Sequence, residues 1–228
     1  MGYVAAFVVV VLLGLFAAMR FGTGSPDVAL LVLVVLAGTA VAALAAVRVH
    51  LLRRRGLTWA DLGVRRPYRT PAHLLWQIPA VMAGGVIASI LASILVSAVL
   101  SALGSVPAPF SEAADPADEA IGDLISAGPL FTVLGLLSVA VVVPLAEEVV
   151  FRGIVLPALR ARFRAAVGIT LAGTVFALVH LMPPALPYLL VVGISLCAMA
   201  EWYRSIIPGI VLHGVNTAVV FALVLTAL

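Results

Sequence analysis

Long apolar runs, separated by short polar connections, make up most of this chain. A transmembrane helix needs roughly 20 mainly apolar residues to cross a hydrocarbon core of about 30 Å. The runs that meet or approach this length are Tyr3–Met19, Val28–Val47, Leu75–Leu103, Pro129–Leu156, Ala165–Met182, Leu186–Ala200 and Ile206–Leu228. The pattern therefore predicts an all-α fold, a polytopic membrane helix bundle with about seven transmembrane helices.

Charge is concentrated in the connections, and its sign differs from one connection to the next. The connection from Arg48 to His73 and the one that follows Arg152 are rich in arginine, whereas the connection 104–127 carries five acidic residues and no basic one. Basic connections usually lie on the cytoplasmic side of a membrane. We therefore predict that the two basic connections and the N-terminus are cytoplasmic, and that the acidic connection lies outside.

The composition supports a membrane protein and excludes an ordinary water-soluble domain. Of the 228 residues, 64% are hydrophobic and only 10% are charged. Every basic residue is an arginine beside an apolar run, so the net charge of +3 reflects membrane topology and predicts no nucleic-acid partner. The abundance of alanine and arginine without lysine suggests a high-GC bacterium, and hence its plasma membrane. Cys197 is the single cysteine, so the chain forms no internal disulfide.

A small set of polar residues lies deep within the later apolar runs, where an ionisable group costs at least a few kcal/mol. On a helix, Glu148 and Arg152 are separated by four residues and can form an ion pair. Glu147 points about 100° away from that pair and stays free for chemistry. The complete set is Glu147, Glu148, Arg152, His180, His213, Asn216 and Thr217.

The spacing of Glu147 and His180 predicts that they meet. If their helices form a hairpin that turns near Phe163 and Arg164, both residues lie the same number of positions from the turn. At roughly 1.5 Å per residue, both then reach a depth of about 24 Å along their helices. Pro144 is expected to kink or open the first helix one turn earlier, which would admit water to Glu147.

Helical spacing also groups the polar residues around each histidine. Phe176 lies four residues before His180, so its ring can pack over the imidazole. Asn216 and Thr217 follow His213 by three and four residues and share its face. A free carboxylate, two imidazoles and an amide are suited to water activation and oxyanion stabilisation.

Three short motifs in this region resemble a known family. EEVVFR (Glu147–Arg152), FALVH (Phe176–His180) and HGVNT (His213–Thr217) are similar to the ordered motifs EExxxR, FxxxH and HxxxN of the CPBP family. This family, also called Abi, contains CAAX proteases and bacteriocin-processing enzymes. The resemblance covers the last hundred residues or so and implies an intramembrane endopeptidase similar to the type II CAAX prenyl endopeptidases.

The resemblance also implies roles for individual residues. Glu147 would be the general base, His180 its water-orienting partner, and His213 an oxyanion donor. The last motif position departs from the family pattern, because Thr217 stands four residues after His213 and the asparagine, Asn216, stands one residue earlier. Either side chain could complete the oxyanion site. The supporting residues would be Glu148, Arg152, Phe176 and Thr217.

The sequence shows no internal repeat and no second domain, so residues 1–228 are predicted to form a single integral-membrane domain. The segment 1–127 supplies N-terminal helices and loops, and 128–228 supplies the catalytic core in the later helices.

A metal requirement stays open. Members of the family are commonly labelled metalloproteases, and Glu147, His180 and His213 could form a zinc site with two imidazoles, one carboxylate and an open position. The chain has no HExxH motif, and a carboxylate that activates water directly needs no ion. The cofactor is therefore either zinc or none.

Two other readings compete with the endopeptidase. A non-catalytic membrane protein of the same fold could use the polar residues only to hold its helices together. A proton-coupled transporter could carry protons through Glu147 and His180, but these groups lie at one depth, and no paired broken helices divide the sequence into halves.

As a protease, the protein would act in the lipid bilayer on a membrane-bound peptide or protein, for example a bacteriocin or a leader peptide.

Overall fold

A computed structural model describes residues 26–104 and 116–227. Helices cover most of these ranges and are joined by turns, bends and irregular segments, and no strand occurs in them, which confirms the all-α polytopic fold. The predicted first span, Tyr3–Met19, lies outside the described residues, as do Glu112 and Asp115 of the acidic connection.

Nine α-helices cover most of the described ranges. They are α1 (Pro26–Val47), α2 (Leu74–Ala102), α3 (Pro116–Ser126), α4 (Pro129–Leu137), α5 (Val143–Val150), α6 (Leu156–Arg160), α7 (Ala165–Val179), α8 (Leu186–Tyr203) and α9 (Ile207–Ala227). Short π-helical segments extend α1 and join α4, α5 and α6 into one continuous rod, Pro129–Arg160.

Within the part of the chain that the structure describes, five helical stretches are long and apolar enough to cross a membrane. They are Asp27–Arg53, Pro71–Ala102, Pro129–Arg160, Leu186–Tyr203 and Ile207–Thr226. The predicted span Ala165–Met182 is shorter than expected, because α7 has 15 residues, which at roughly 1.5 Å each is about 22 Å. Leu181 ends this helix in a left-handed conformation, with a φ of 54°. The predicted total of seven spans is thus not confirmed.

The acidic connection contains a helix that the hydrophobic pattern did not reveal. In α3, Ile121 and Leu124 are buried against Ala29 and Leu33 of α1 and against Phe221 of α9. The apolar face of α3 is only a few residues wide and is interrupted by acidic side chains, so its sequence resembles a polar loop. This helix covers one end of the bundle.

The arginine-rich connections meet at the opposite end of the bundle. The Arg65 side chain donates to the carbonyl of Arg204 at 2.7 Å, and Arg69 donates to the carbonyl of Trp202 at 3.2 Å. Arg160, the last residue of the rod, pairs with Glu201 at 3.2 Å. These contacts place the basic connections on one side of the bundle, as predicted. Their cytoplasmic orientation stays a prediction.

Candidate active site

The two adjacent glutamates of α5 face different surroundings. The side chain of Glu148 is fully buried, and its Oε1 lies 2.8 Å from Nη1 of Arg152, so the predicted ion pair is present. Nη2 of Arg152 donates to the carbonyl of Gly193 in α8 at 3.2 Å. Glu147 retains 26% of its side-chain exposure. One carboxylate is therefore locked in the bundle, and the other is accessible.

His213 of α9 lies between these two carboxylates. Its Nδ1 is 3.1 Å from Oε1 of Glu148, and its Nε2 is 3.6 Å from Oε2 of Glu147. A carboxylate can only accept, so the shorter contact places a proton on Nδ1. The longer contact exceeds a direct hydrogen bond, and it leaves Nε2 next to the accessible carboxylate.

A cleft of about 620 Å³ contains both Glu147 and His180. The predicted hairpin is present, since the rod ends at Arg160 and α7 returns from Ala165. Glu147 and His180 are the only ionisable groups among the described residues that line the cleft. Its other walls are formed by Val35, Leu36, Thr39, Ala40, Ala43, Val143, Ala146, Val150, Phe151 and Val179. The pair therefore occupies a cleft whose other lining residues are apolar except for Thr39.

The orientation of His180 is set by the end of α7. Its Nδ1 lies 2.7 Å from the carbonyl of Phe176, to which it donates, because a carbonyl can only accept. The imidazole also packs against the Phe176 ring, with 4.7 Å between the ring centres, as the spacing predicted. In the neutral ring, Nε2 is then left to accept a hydrogen bond.

Phe176 also contacts residues of the site that its position in the sequence did not predict. Its ring is 5.6 Å from the His213 ring and 4.4 Å from the guanidinium carbon of Arg152. Sequence spacing could not show these contacts, because they join α7 to the rod and to α9. A single buried ring thus contacts both histidines and the structural arginine.

The rod departs from α-helical geometry close to Pro144, where the sequence predicted a kink or an opened turn. A proline has no N–H to donate, so a carbonyl one turn earlier loses its partner. The segment Ser138–Val142, which ends two residues before Pro144, is π-helical. The hydroxyl of Thr217 donates to the carbonyl of Val139 at 2.7 Å. A side chain of α9 therefore satisfies a carbonyl in the opened turn.

Two glycines let α9 approach the rod closely. At Gly209, a Cβ atom would lie 2.8 Å from Oε2 of Glu148. At Gly214, a Cβ atom would collide with the carbonyl oxygen of Ala140. This close packing brings His213 within reach of both glutamates.

Asn216 and Thr217, which the sequence left as alternatives, have different partners. Thr217 is bonded to backbone carbonyls, whereas Oδ1 of Asn216 accepts from the hydroxyl of Tyr188 at 2.5 Å. Asn216 is only 5% exposed. Sequence analysis missed Tyr188, and the only signal was a phenolic hydroxyl near the start of an apolar helix, where it needs a partner.

The predicted metal set does not fit this arrangement. Across residues 26–104 and 116–227, no group of three or more His, Cys, Asp or Glu side chains is placed to hold a metal ion. The ring nitrogens of His213 face the two glutamates instead.

One family model is similar to the later helices of the chain. Residues 129–219 match the family model described as type II CAAX prenyl endopeptidase Rce1-like. The matched segment contains all three motifs, from Glu147 to Thr217. No curated protein and no solved structure gives a significant match to the chain.

Proposed function

We propose that this chain is a glutamate-dependent intramembrane endopeptidase. The premise is the match of residues 129–219 to the type II CAAX prenyl endopeptidase family model, which confirms the predicted resemblance. The central observation is that Glu147 and His180 are the only ionisable groups among the described residues lining an apolar cleft. His213 lies 3.6 Å from the same glutamate. This placement suits peptide-bond hydrolysis within a membrane.

The reaction begins with a water molecule held between Glu147 and His180. Nε2 of His180 accepts one hydrogen bond from this water, because its Nδ1 is already used to donate to Phe176. Glu147 takes the other proton while the water oxygen bonds to the carbonyl carbon of the substrate. The product of this step is a tetrahedral intermediate with a negatively charged oxygen.

His213 and Asn216 are proposed to stabilise this oxyanion. His213 donates from Nδ1 to Glu148, so in its doubly protonated form Nε2–H is available on the Glu147 side. Asn216 accepts from Tyr188 through Oδ1, which leaves its NH₂ group to donate. Preorganised donors of this kind contribute roughly 3–4 kcal/mol each to transition-state stabilisation.

Collapse of the intermediate completes the hydrolysis. The C–N bond breaks, and Glu147 returns its proton to the leaving amine nitrogen. The products are one peptide that ends in a carboxylic acid and one that begins with an amine, and the second proton of the water then passes from the acid to the amine. Thr217 is not proposed as an oxyanion donor, because its hydroxyl proton is used within the protein at the Val139 carbonyl.

The cleft indicates the class of substrate. Its walls are apolar apart from the two catalytic groups and Thr39, so a peptide with apolar residues around the scissile bond would bind best. We propose a membrane-bound peptide or protein, such as a bacteriocin or a leader peptide. A bacterial plasma membrane, with the N-terminus in the cytoplasm, is the proposed location.

This function can be tested with the protein in liposomes. The measurement is the cleavage of a library of apolar, membrane-anchored synthetic peptides. We expect cleavage by the unmodified protein and none by Glu147→Gln or His180→Ala, although both variants should keep their thermal unfolding midpoint. Glu201→Gln is a matched control, because this glutamate is exposed at the basic end of the bundle. Peptides trapped on Glu147→Gln in membrane extracts can then be identified by mass spectrometry.

Two results would contradict the proposal. Cleavage by both active-site variants would show that Glu147 and His180 do not have the catalytic roles assigned to them. A proton flux through liposomes that depends on Glu147, without any cleavage, would favour the transporter.

A further inference from the structure

Tyr188 makes a contact that the family motifs do not include. It lies in the first turn of α8, and its hydroxyl donates to Oδ1 of Asn216 in α9 at 2.5 Å. Asn216 is buried, and Tyr188 is half-buried beside it. Because Oδ1 is occupied, the amide is oriented with its NH₂ group pointing away from the tyrosine.

The position of Asn216 on α9 makes this orientation necessary. Successive helical residues are rotated by about 100°, so a residue four positions after His213 lies about 40° to one side of it. A residue three positions after His213 lies about 60° to the other side. The amide of Asn216 therefore approaches the oxyanion site from a different direction than the HxxxN pattern implies, and needs its own support.

Helix α2 packs against the ring of Tyr188 at Gly85. Gly85 of α2 is buried against it, and a Cβ atom at this position would lie 2.5 Å from Cδ2 and 2.7 Å from Cε2 of Tyr188. A methyl group at position 85 would displace the Tyr188 ring. The absence of a side chain at Gly85 thus permits the contact between Tyr188 and Asn216.

We propose that Tyr188 is a positioning residue that orients the Asn216 amide toward the oxyanion, and that the absence of a side chain at Gly85 leaves the space that its ring occupies. The proposal rests on the proposed endopeptidase function. Tyr188 acts through Asn216 and does not touch the reacting atoms. The N-terminal helix α2, which carries none of the three motifs, thereby contributes to catalysis.

The chain provides a matched control for this contact. Tyr203, at the other end of α8, donates its hydroxyl to the side-chain amide oxygen of Gln77 in α2 at 2.8 Å. It is fully buried at the basic end of the bundle. Tyr188→Phe and Tyr203→Phe therefore remove equivalent hydrogen bonds to an amide oxygen, but only the first lies beside the proposed oxyanion site.

Kinetics of peptide cleavage provide the first test. We expect Tyr188→Phe to lower kcat about tenfold with KM unchanged, less than the 10²–10³ expected for removal of an oxyanion donor. Gly85→Ala should lower kcat in the same direction, and Tyr203→Phe should leave it unchanged. In an Asn216→Ala background, Tyr188→Phe should have no further effect. Full kcat in Tyr188→Phe, or independent effects in the double variant, would overturn the proposal.

A second test does not depend on activity. Asn216 is the only asparagine in the chain, so selective ¹⁵N-asparagine labelling gives a single side-chain amide pair in an NMR spectrum. We expect Tyr188→Phe to shift this pair and Tyr203→Phe to leave it in place. If the pair does not move, Tyr188 does not orient the amide. If it moves but the unmodified protein cleaves nothing, the endopeptidase function fails while the positioning contact stands.

Discussion

The Nδ1 atom of His213 lies 3.1 Å from Oε1 of Glu148, the same oxygen that Arg152 binds. These residues are 65 positions apart in the chain. Glu148 is therefore more than the structural partner of an arginine, because it also sets which nitrogen of the imidazole carries a proton. The buried ion pair and the proposed oxyanion site share one carboxylate.

Removal of Glu148 should destabilise the protein and misorient His213. Glu148→Ala leaves the Arg152 charge buried without a carboxylate, which costs roughly 3–5 kcal/mol. We expect a lower yield and a lower unfolding midpoint in detergent. The double variant Glu148→Leu/Arg152→Leu removes both charges and should recover most of this stability. It should stay inactive, since His213 has lost its acceptor. Normal stability of Glu148→Ala combined with inactivity would instead reverse the roles of the two glutamates.

Close packing of α7 on α8 should depend on Gly193. A Cβ atom there would lie 2.7 Å from the carbonyl oxygen of Gly173 and 2.8 Å from the Phe176 ring. We expect Gly193→Ala to lower the free energy of unfolding by roughly 1–3 kcal/mol and to reduce activity by displacing Phe176. Gly38→Ala is the control, because nothing lies within 4 Å of a Cβ atom at that position. An equal loss in both variants would exclude this packing as the cause.

The hydroxyl of Thr217 should stabilise the rod at its proline. Thr217→Val leaves the Val139 carbonyl without its side-chain donor, which should cost about 1–3 kcal/mol. In a Pro144→Ala background, the restored N–H can bond to a carbonyl of the opened turn, so the same change should cost less. Unfolding midpoints of the four proteins measure this coupling. Additive effects would show that the hydroxyl and the proline act independently.

Narrowing the cleft should weaken substrate binding without altering the chemistry. Ala43 lines the cleft on α1, whereas its neighbour Ala42 is exposed and does not line it. We expect Ala43→Phe to raise KM with kcat nearly unchanged, because it removes binding that the ground state and the transition state share. Ala42→Phe should have little effect. A fall in kcat alone in Ala43→Phe would show that the substrate does not enter here.

Local contacts within one helix could be predicted from the sequence because helical geometry determines them. Residues four positions apart on a helix are neighbours, so the pairs Glu148–Arg152 and Phe176–His180 followed from spacing alone. The proline before the glutamates likewise predicted an opened turn. The contacts of Tyr188 could not be predicted, since its partners Gly85 and Asn216 belong to two other helices.

The boundaries of some helices also could not be predicted from the hydrophobic pattern of the sequence. Apolar residues continue past Val179, yet α7 ends there because Leu181 takes up a left-handed conformation. The acidic residues of 116–126 suggested a loop, yet α3 forms because Ile121 and Leu124 find a buried surface on α1 and α9. In both cases tertiary contacts or a single backbone conformation outweighed the hydrophobic pattern.

By itself, the sequence determined the membrane class, the three motifs and the pairs that share a helix face. Only the tertiary structure decided that His213 reaches both glutamates, that Thr217 bonds to the rod and that Tyr188 holds Asn216. Helical periodicity defines directions around one axis, but it leaves the rotation and separation of neighbouring helices open. Here those are set by close contacts at glycines, which Gly85, Gly193, Gly209 and Gly214 allow because they have no side chain.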